Sequence, residues 1–202
     1  MFYEPTSRDR SLLPHDPFKA LVTPRPIGWV TTMGRSGAVN LAPYSFFNAV
    51  ASEPPILAFS SDGPKDSVSF ARETGEFVWN LATYELREAM NLTSAPLSRG
   101  ASEFEHAGLA TAPCRLIRPP RVAASPSSME CKVIDILQLR DLQGAALAQF
   151  VVLGQVVGVH LDERFIKGGL IDTAALHPLA RCGYSDYSVV DQVFPMTRPR
   201  GG

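Results

Sequence analysis

The sequence predicts a single domain that is mainly β with a few inserted helices. Strand patterns follow one another with helices between them and do not alternate as β-α-β units, so a doubly wound parallel sheet is not expected. Two long strand patterns in the second half, joined by a short turn, are typical of a bent barrel hairpin. The 202 residues, 45% of them hydrophobic, suffice for one sizeable core. We expect one domain over 1–202, with an N-terminal arm at 1–16 and a flexible tail from about 195.

The first half opens with a predicted hairpin. A strand rich in β-branched and aromatic residues at 28–33 is followed by a Gly-Arg-Ser-Gly turn at 34–37 and a returning strand at 39–42. Further extended segments are expected at 48–52 and 56–60.

A helix is predicted next, over 64–74. Asp66 or Ser67 can cap its N-terminus, and Gly75 follows as a stop signal. The remaining elements of this half are expected as a strand at 77–81, a helix at 83–92 and a short helix with a capping-box pattern at 102–108.

The second half supplies the long hairpin. Residues 130–140 alternate between apolar and polar side chains, Gln143 and Gly144 form the turn, and the mostly apolar residues 150–161 return. We therefore expect two long paired strands.

Composition excludes several functional classes. The formal net charge is −1, without the basic excess that nucleic-acid or anionic-membrane binding would require. No run of 18 apolar residues indicates a membrane span, and no basic segment followed by an apolar run indicates a signal peptide, so a cytoplasmic protein is expected. Three widely spaced cysteines are interpreted as small core residues.

The segment 24–48 carries most of the functional information. It combines aromatic rings, amides and hydroxyls, and Lys65 follows at the start of the predicted helix. Aromatic rings can stack on a planar ligand, while an ammonium beside helix N–H groups can bind an anion. Neither a dinucleotide-binding glycine fingerprint nor a phosphate-binding Walker loop occurs. These residues suit a planar aromatic ligand that carries a phosphate.

Several motifs, in order, resemble the flavin reductase-like family of FMN-binding split β-barrels. The resemblance runs from about Pro17 to Tyr184 and is strongest at Thr-Pro-Arg-Pro-Ile-Gly-Trp-Val-Thr-Thr (23–32), Asn-Leu-Ala-Pro-Tyr-Ser-Phe-Phe-Asn (40–48) and Lys-Asp-Ser (65–67). It implies a six-stranded antiparallel split barrel, tightly bound FMN, a homodimer, and NAD(P)H as the electron donor.

Two departures from the family pattern bear on the site. Ser67 stands where members commonly have threonine, which keeps the hydroxyl. Arg-Cys-Gly-Tyr at 181–184 replaces a common Arg-Leu-Gly-Gly run, which leaves the nicotinamide pocket less defined than the flavin pocket.

The resemblance and the chemistry together select a set of cofactor-binding residues. By itself, Lys65 is more often a solvated lysine ahead of a capped helix; the resemblance favours a phosphate ligand. Of the adjacent threonines we favour Thr31, because side chains alternate along a strand. The full predicted set is Thr31, Thr32, Asn40, Ala42, Ser45, Phe46, Asn48, Ser60, Ser61, Lys65 and Ser67.

Three functional hypotheses remain open. The first is an oxidoreductase in which FMN accepts hydride from NAD(P)H and passes electrons to flavin, another acceptor or a partner monooxygenase. The second is a non-enzymatic FMN electron carrier, and the third is a split barrel that binds another ligand, such as haem or pyridoxal phosphate. No catalytic residue and no metal site is predicted.

Other polar groups have ordinary interpretations. Glu130 is expected as a buried strand carboxylate paired with an arginine, His177 as a surface histidine, and Arg25 as a partner of phosphate or carboxylates. Trp29, Phe47 and Trp79 are expected in the core.

Overall fold

A computed structural model describes residues 1–98 and 101–199. Within these ranges the fold is mainly β. The strands are β1 (Arg25–Pro26), β2 (Gly28–Met33), β3 (Val39–Tyr44), β4 (Phe47–Ser52), β5 (Pro55–Asp62), β6 (Glu76–Asn80), β7 (Thr111–Ala112), β8 (Arg121–Val122), β9 (Ser127–Arg140), β10 (Ala146–Leu161), β11 (Ile166–Lys167), β12 (Leu170–Ile171), β13 (Leu179–Arg181) and β14 (Tyr187–Val189).

The helices are short. They are α1 (Phe18–Leu21), α2 (Asp66–Thr74), α3 (Arg87–Leu92) and α4 (Glu103–His106), with 3-10 turns at Pro5–Ser7, Tyr84–Leu86 and Glu163–Phe165. None of the described helices is long and apolar enough to cross a membrane.

Seven antiparallel strands form the main sheet, in the order β3-β2-β6-β9-β10-β5-β4. The edge strands β3 and β4 are consecutive in the chain, so the sheet curls back on itself, yet no ladder joins them within the described residues. The split-barrel architecture and the mainly β class are confirmed. The prediction of six strands was wrong: the sheet has seven and does not close.

The long hairpin formed by β9 and β10 lies in the middle of the main sheet. Its pairing shifts register at three places, which lets two long strands bend. Gly154 lies where the hairpin crosses Phe77, and a Cβ there would come within 2.2 Å of the Phe77 ring. Glycine at this position therefore permits the close approach of β10 to β6.

Helix α2 begins differently from the prediction. Lys65, not Asp66 or Ser67, occupies the N-cap position, and no side chain caps the helix. Asp66 is the first helical residue, where a carboxylate still interacts favourably with the helix dipole. Gly75 ends the helix with φ of 73°, as expected. In α4 the capping box is half formed, since the Ser102 hydroxyl accepts from the Glu105 N–H at 3.4 Å.

The apolar core lies in two clusters. The first contains Ile27, Trp29, Leu41, Ala82, Met90, Phe104, Val122 and Leu179. The second contains Val30, Leu57, Phe59, Val68, Ala71, Phe77, Cys131 and Val152. Successive residues of β2 contribute to different clusters, so both faces of this strand are buried. Trp29 is fully buried, and Phe47 and Trp79 pack against the second cluster.

Candidate functional site

Several of the predicted site residues lie where β3, the end of β5 and the start of α2 meet. Thr32 and Asn40 are directly opposite on the paired strands β2 and β3, so their side chains share one face of the sheet. The Asn40 amide donates to the Ser67 hydroxyl at 2.7 Å, which joins this face to α2. Two segments 27 residues apart are thus connected by a buried hydrogen bond.

Thr31 points to the opposite face. Its hydroxyl accepts from the Asn80 amide at 3.0 Å, and its neighbour across the strands, Leu41, belongs to the first core cluster. The Thr32 hydroxyl is also buried but has no hydrogen-bond partner among the described residues. Thr32, and not the predicted Thr31, therefore shares the face of Asn40 and Ser67.

Tyr44 contributes a polar group that is not in the predicted set of cofactor-binding residues. Its phenol lies beside the Ser67 and Ser61 side chains, and burial raises the pKa of the phenol. Its ring packs on Phe59 at a centroid distance of 4.9 Å. Because residues of a strand alternate, Asn40 and Tyr44 fall on the same face. That spacing could have identified Tyr44 from the sequence.

We call the resulting group the polar seam. It comprises Thr32, Asn40, Tyr44, Ser61 and Ser67. Apart from half-buried Tyr44, these residues are buried, and the Ser61 hydroxyl also donates to the Gly63 carbonyl at 2.9 Å. The buried hydrogen bonds of the seam therefore connect β3, the end of β5 and α2, and its neighbours are more accessible.

The accessible members of the predicted set surround the seam. Lys65 is exposed and forms no ion pair with any residue in the described parts of the chain. The Ser60 N–H donates to the Phe46 carbonyl at 2.8 Å, which places the end of β5 beside the loop between β3 and β4. The others are half-buried Ala42, Ser45 and Ser60 and exposed Phe46 and Asn48.

A phosphate fits the Lys65 side of the seam. Lys65 precedes a nine-residue helix whose first N–H groups lack partners within the helix, so cation and helix dipole attract an anion together. On the other side of the seam, a cavity of about 250 Å³ next to Asn40 is lined, in the described chain, by Asp66 and Glu103 among others. Burial raises the pKa of Glu103, whose carboxylate accepts from the Leu41 N–H.

Phe46 is the exposed ring next to the seam. It is 44% accessible and stacks on Phe18, with centroids 6.5 Å apart. Lys19 and Arg25 lie over the same ring, at 5.8 and 5.9 Å from its centroid. A flat apolar surface with cations nearby is therefore available for an aromatic ligand.

Glu130 belongs to a different polar group, which we call the Glu130 cluster (Cys114, Glu130 and His160). The predicted pairing with an arginine was wrong: the Glu130 carboxylate accepts from His160 at 2.6 Å and from the N–H groups of Arg115 and Leu116 at 2.8 and 2.7 Å. Burial opposes ionisation, but these hydrogen bonds outweigh it and hold the pKa of Glu130 below its ordinary value.

The Glu130 cluster is the one group in the described chain with three potential metal ligands within 4.8 Å of one another. Burial raises the pKa of the Cys114 thiol to about 12, so the thiol is neutral near pH 7. The carboxylate is already fully engaged. The hydrogen bonds to Glu130 give this carboxylate a structural role.

The structure also shows the surroundings of His177 and Arg25. His177 is partly exposed, as predicted, and its Nδ1 lies 2.8 Å from Glu85. Arg25 contacts carbonyl groups instead of a carboxylate: it donates to Lys19, Val22 and, at 2.9 Å, Cys182.

Comparison with known proteins places the chain in a family. The sequence model of the flavin reductase like domain matches residues 21–176. An uncharacterized protein of Halalkalibacterium halodurans is 37% identical over 88% of this chain and 87% of its own length.

Solved structures agree with this placement. The nitrilotriacetate monooxygenase component B from Bacillus cereus is 28% identical, with a TM-score of 0.88 over 97% of this chain and 98% of its own. The 2-nitrobenzoate 2-nitroreductase NbaA of Pseudomonas fluorescens is also 28% identical, with a TM-score of 0.80 over 90% and 88%. The chain therefore belongs to the flavin reductase like domain family.

Proposed function

We propose that this protein is an FMN-binding oxidoreductase that takes hydride from NADH or NADPH. The observation that carries the proposal is the unpaired ammonium of Lys65 at the start of α2, beside the polar seam, in a chain of the flavin reductase like family. An FMN phosphate carries about −1.5 to −2 charges near neutral pH, which matches this local positive potential.

The accessible residues have distinct roles in the proposal. Lys65 and Ser60 hold the phosphate, Ser45 and Asn48 offer hydrogen bonds to the ribityl chain and ring edge, and Phe46 forms an apolar wall. Backbone N–H groups near Ala42 can donate to the ring. The polar seam keeps these groups in place through its buried hydrogen bonds.

The protein supplies positioning and electrostatics, and the cofactor supplies the reaction. When bound, FMN would accept hydride and pass electrons to free flavin, another acceptor or a partner oxygenase. The similarity to a monooxygenase component B supports a partner oxygenase. No general acid or base is assigned, since hydride transfer requires none.

A homodimer is part of the proposal. The outer half of the β9–β10 hairpin exposes a row of apolar side chains, which monomeric proteins seldom leave in water. These are Ile134, Leu137, Leu139, Leu142 and Leu147.

Spectroscopy tests the proposal directly. The purified protein mixed with FMN should show a flavin absorption band and quenched flavin fluorescence, and NADH or NADPH should bleach that band within seconds in an anaerobic stopped-flow mixture. A bound flavin that stays oxidised for hours would identify a carrier. No binding of FMN, or a haem or pyridoxal phosphate spectrum, would contradict the proposal.

A further inference from the structure

A cavity of about 580 Å³ beside the Glu130 cluster is lined by two arginines whose charges are not paired. Neither the Arg115 nor the Arg121 guanidinium forms an ion pair or a side-chain hydrogen bond within the described residues. The Nε atom of Arg121 is also buried. A buried N–H group without an acceptor is unfavourable, and an anion in the cavity would supply that acceptor.

The carboxylates that line this cavity in the described chain are already engaged. Glu130 accepts from His160 and from two backbone N–H groups. Asp162 is paired with the Arg164 side chain, with 2.6 Å between Nη2 and Oδ2. Neither carboxylate forms an ion pair with an arginine of the lining, so the positive charge of these two arginines has no direct counter-charge among the described residues.

Apolar side chains form another part of the lining. Leu116 and Val159 are 56% and 60% exposed, and Pro126 and Leu161 are half-buried. Apolar surface next to unpaired guanidinium groups suits a ligand that has both an oxyanion and an apolar body. The volume lies within the range of about 300–1,000 Å³ that is usual for small-molecule sites.

This cavity lies on the face of the main sheet that is opposite to the polar seam. Glu130, which lines it, is directly opposite Val78, and Val78 is directly opposite Thr31. Directly opposed residues share a face, so Glu130 lies on the face of Thr31, away from Thr32 and Asn40. None of the predicted cofactor-binding residues is in the described lining, so a ligand here is distinct from the flavin.

We propose that this cavity, which we call the Arg115–Arg121 cavity, binds a small organic carboxylate with an apolar body. The two guanidinium groups hold the carboxylate, and Leu116 and Val159 contact the apolar part. Inorganic phosphate would satisfy the arginines but would leave these apolar side chains in water. The inference does not depend on the proposed function, because it rests on residues that are not part of the candidate flavin site.

The test uses phenylbutyrate, which joins an aromatic ring to a carboxylate, and its neutral amide. Isothermal titration of the full-length protein should show binding of phenylbutyrate, weakened at least about tenfold by Arg121→Met and by Arg115→Met. Wild type should bind the amide at least about tenfold more weakly than the acid. The matched control is Arg72→Met, which removes a guanidinium stacked on the Phe150 ring outside this cavity and should leave the affinity unchanged.

Each outcome supports or overturns the inference. Arg115 is exposed, so Arg115→Met still tests the cavity if circular dichroism shows that Arg121→Met does not fold. No binding at millimolar phenylbutyrate, equal affinity in wild type and both variants, or equal affinity for acid and amide would overturn it. Tighter binding of inorganic phosphate than of phenylbutyrate would overturn the organic ligand. A protein that binds phenylbutyrate as expected but does not bind FMN would contradict the proposed function alone.

Discussion

The Glu130 cluster and the polar seam are both polar groups beside long strands, yet they differ in what remains available to a ligand. In the Glu130 cluster, the carboxylate accepts from three donors and is 1% exposed. Beside the seam, Lys65 is exposed and has no ion pair in the described chain. A carboxylate held by several hydrogen bonds therefore marks structural support in the first region, and an accessible cation marks the candidate site in the second.

The largest effect is expected for Glu130→Gln. The glutamine side chain cannot accept from both backbone N–H groups and from His160, because its NH2 group would face one of these three donors. Breaking a buried charged network of this kind costs about 3–5 kcal/mol of unfolding free energy. Urea unfolding measures that loss. FMN affinity of the folded variant should be unchanged, and a large drop in affinity would break the distinction between the two regions.

The pH dependence of stability follows from the same carboxylate. Because the folded-state pKa of Glu130 lies below its ordinary value of 4.5, its stabilisation is present above pH 4.5 and is lost as the pH falls through the folded-state pKa. The stability gap between wild type and Glu130→Gln should therefore narrow on acidification. Urea midpoints from pH 7 to pH 3 provide the check, and a constant gap would contradict the assignment.

Lys65→Ala should lower FMN affinity and leave stability almost unchanged, which is the reverse of the result expected for Glu130→Gln. We expect FMN affinity to fall about tenfold or more at low salt, since a charge-assisted hydrogen bond contributes about 1.5–3 kcal/mol. Stability of the protein without FMN should hardly change. Lys132→Ala, which removes another exposed lysine on β9, is the matched control in the fluorescence titration. Equal losses in both variants would mean a non-specific charge effect.

The smallest effect is a difference in stability between valine substitutions at the adjacent residues Thr31 and Thr32. Thr31→Val removes the acceptor of the Asn80 amide and should lower the unfolding free energy by about 1 kcal/mol. Thr32→Val replaces a buried hydroxyl that has no partner, so the stability should stay the same or rise. Thermal and urea unfolding of the two variants measure the difference. A loss of stability in Thr32→Val alone would reverse our assignment of the faces of β2.

Much of the fold follows from local sequence signals. The strand at Gly28–Met33, the end of α2 at Gly75 and the long hairpin each depend on alternation or on turn residues, and the structure has all three. The strand count was not accessible in this way, because the β4–β5 hairpin joins the main sheet through the pairing of β5 with β10, which is distant in sequence.

The candidate site was predictable by residue type but less so by orientation. The place of Lys65 and Ser67 at a helix start could be predicted from the sequence, whereas the faces of Thr31 and Thr32 depend on which side of the sheet α2 covers. The partners of Glu130 and the opposition of Arg25 to Arg181 depend on long-range strand register. Such register is set by packing of the whole sheet.

The most direct test of the central claim is a cycle of four dissociation constants: FMN and riboflavin, each with wild type and Lys65→Ala. Riboflavin lacks the phosphate, so wild type should prefer FMN, and Lys65→Ala should lose most of that preference while it binds riboflavin as wild type does. An unchanged preference for FMN in Lys65→Ala would contradict the placement of the phosphate at the start of α2.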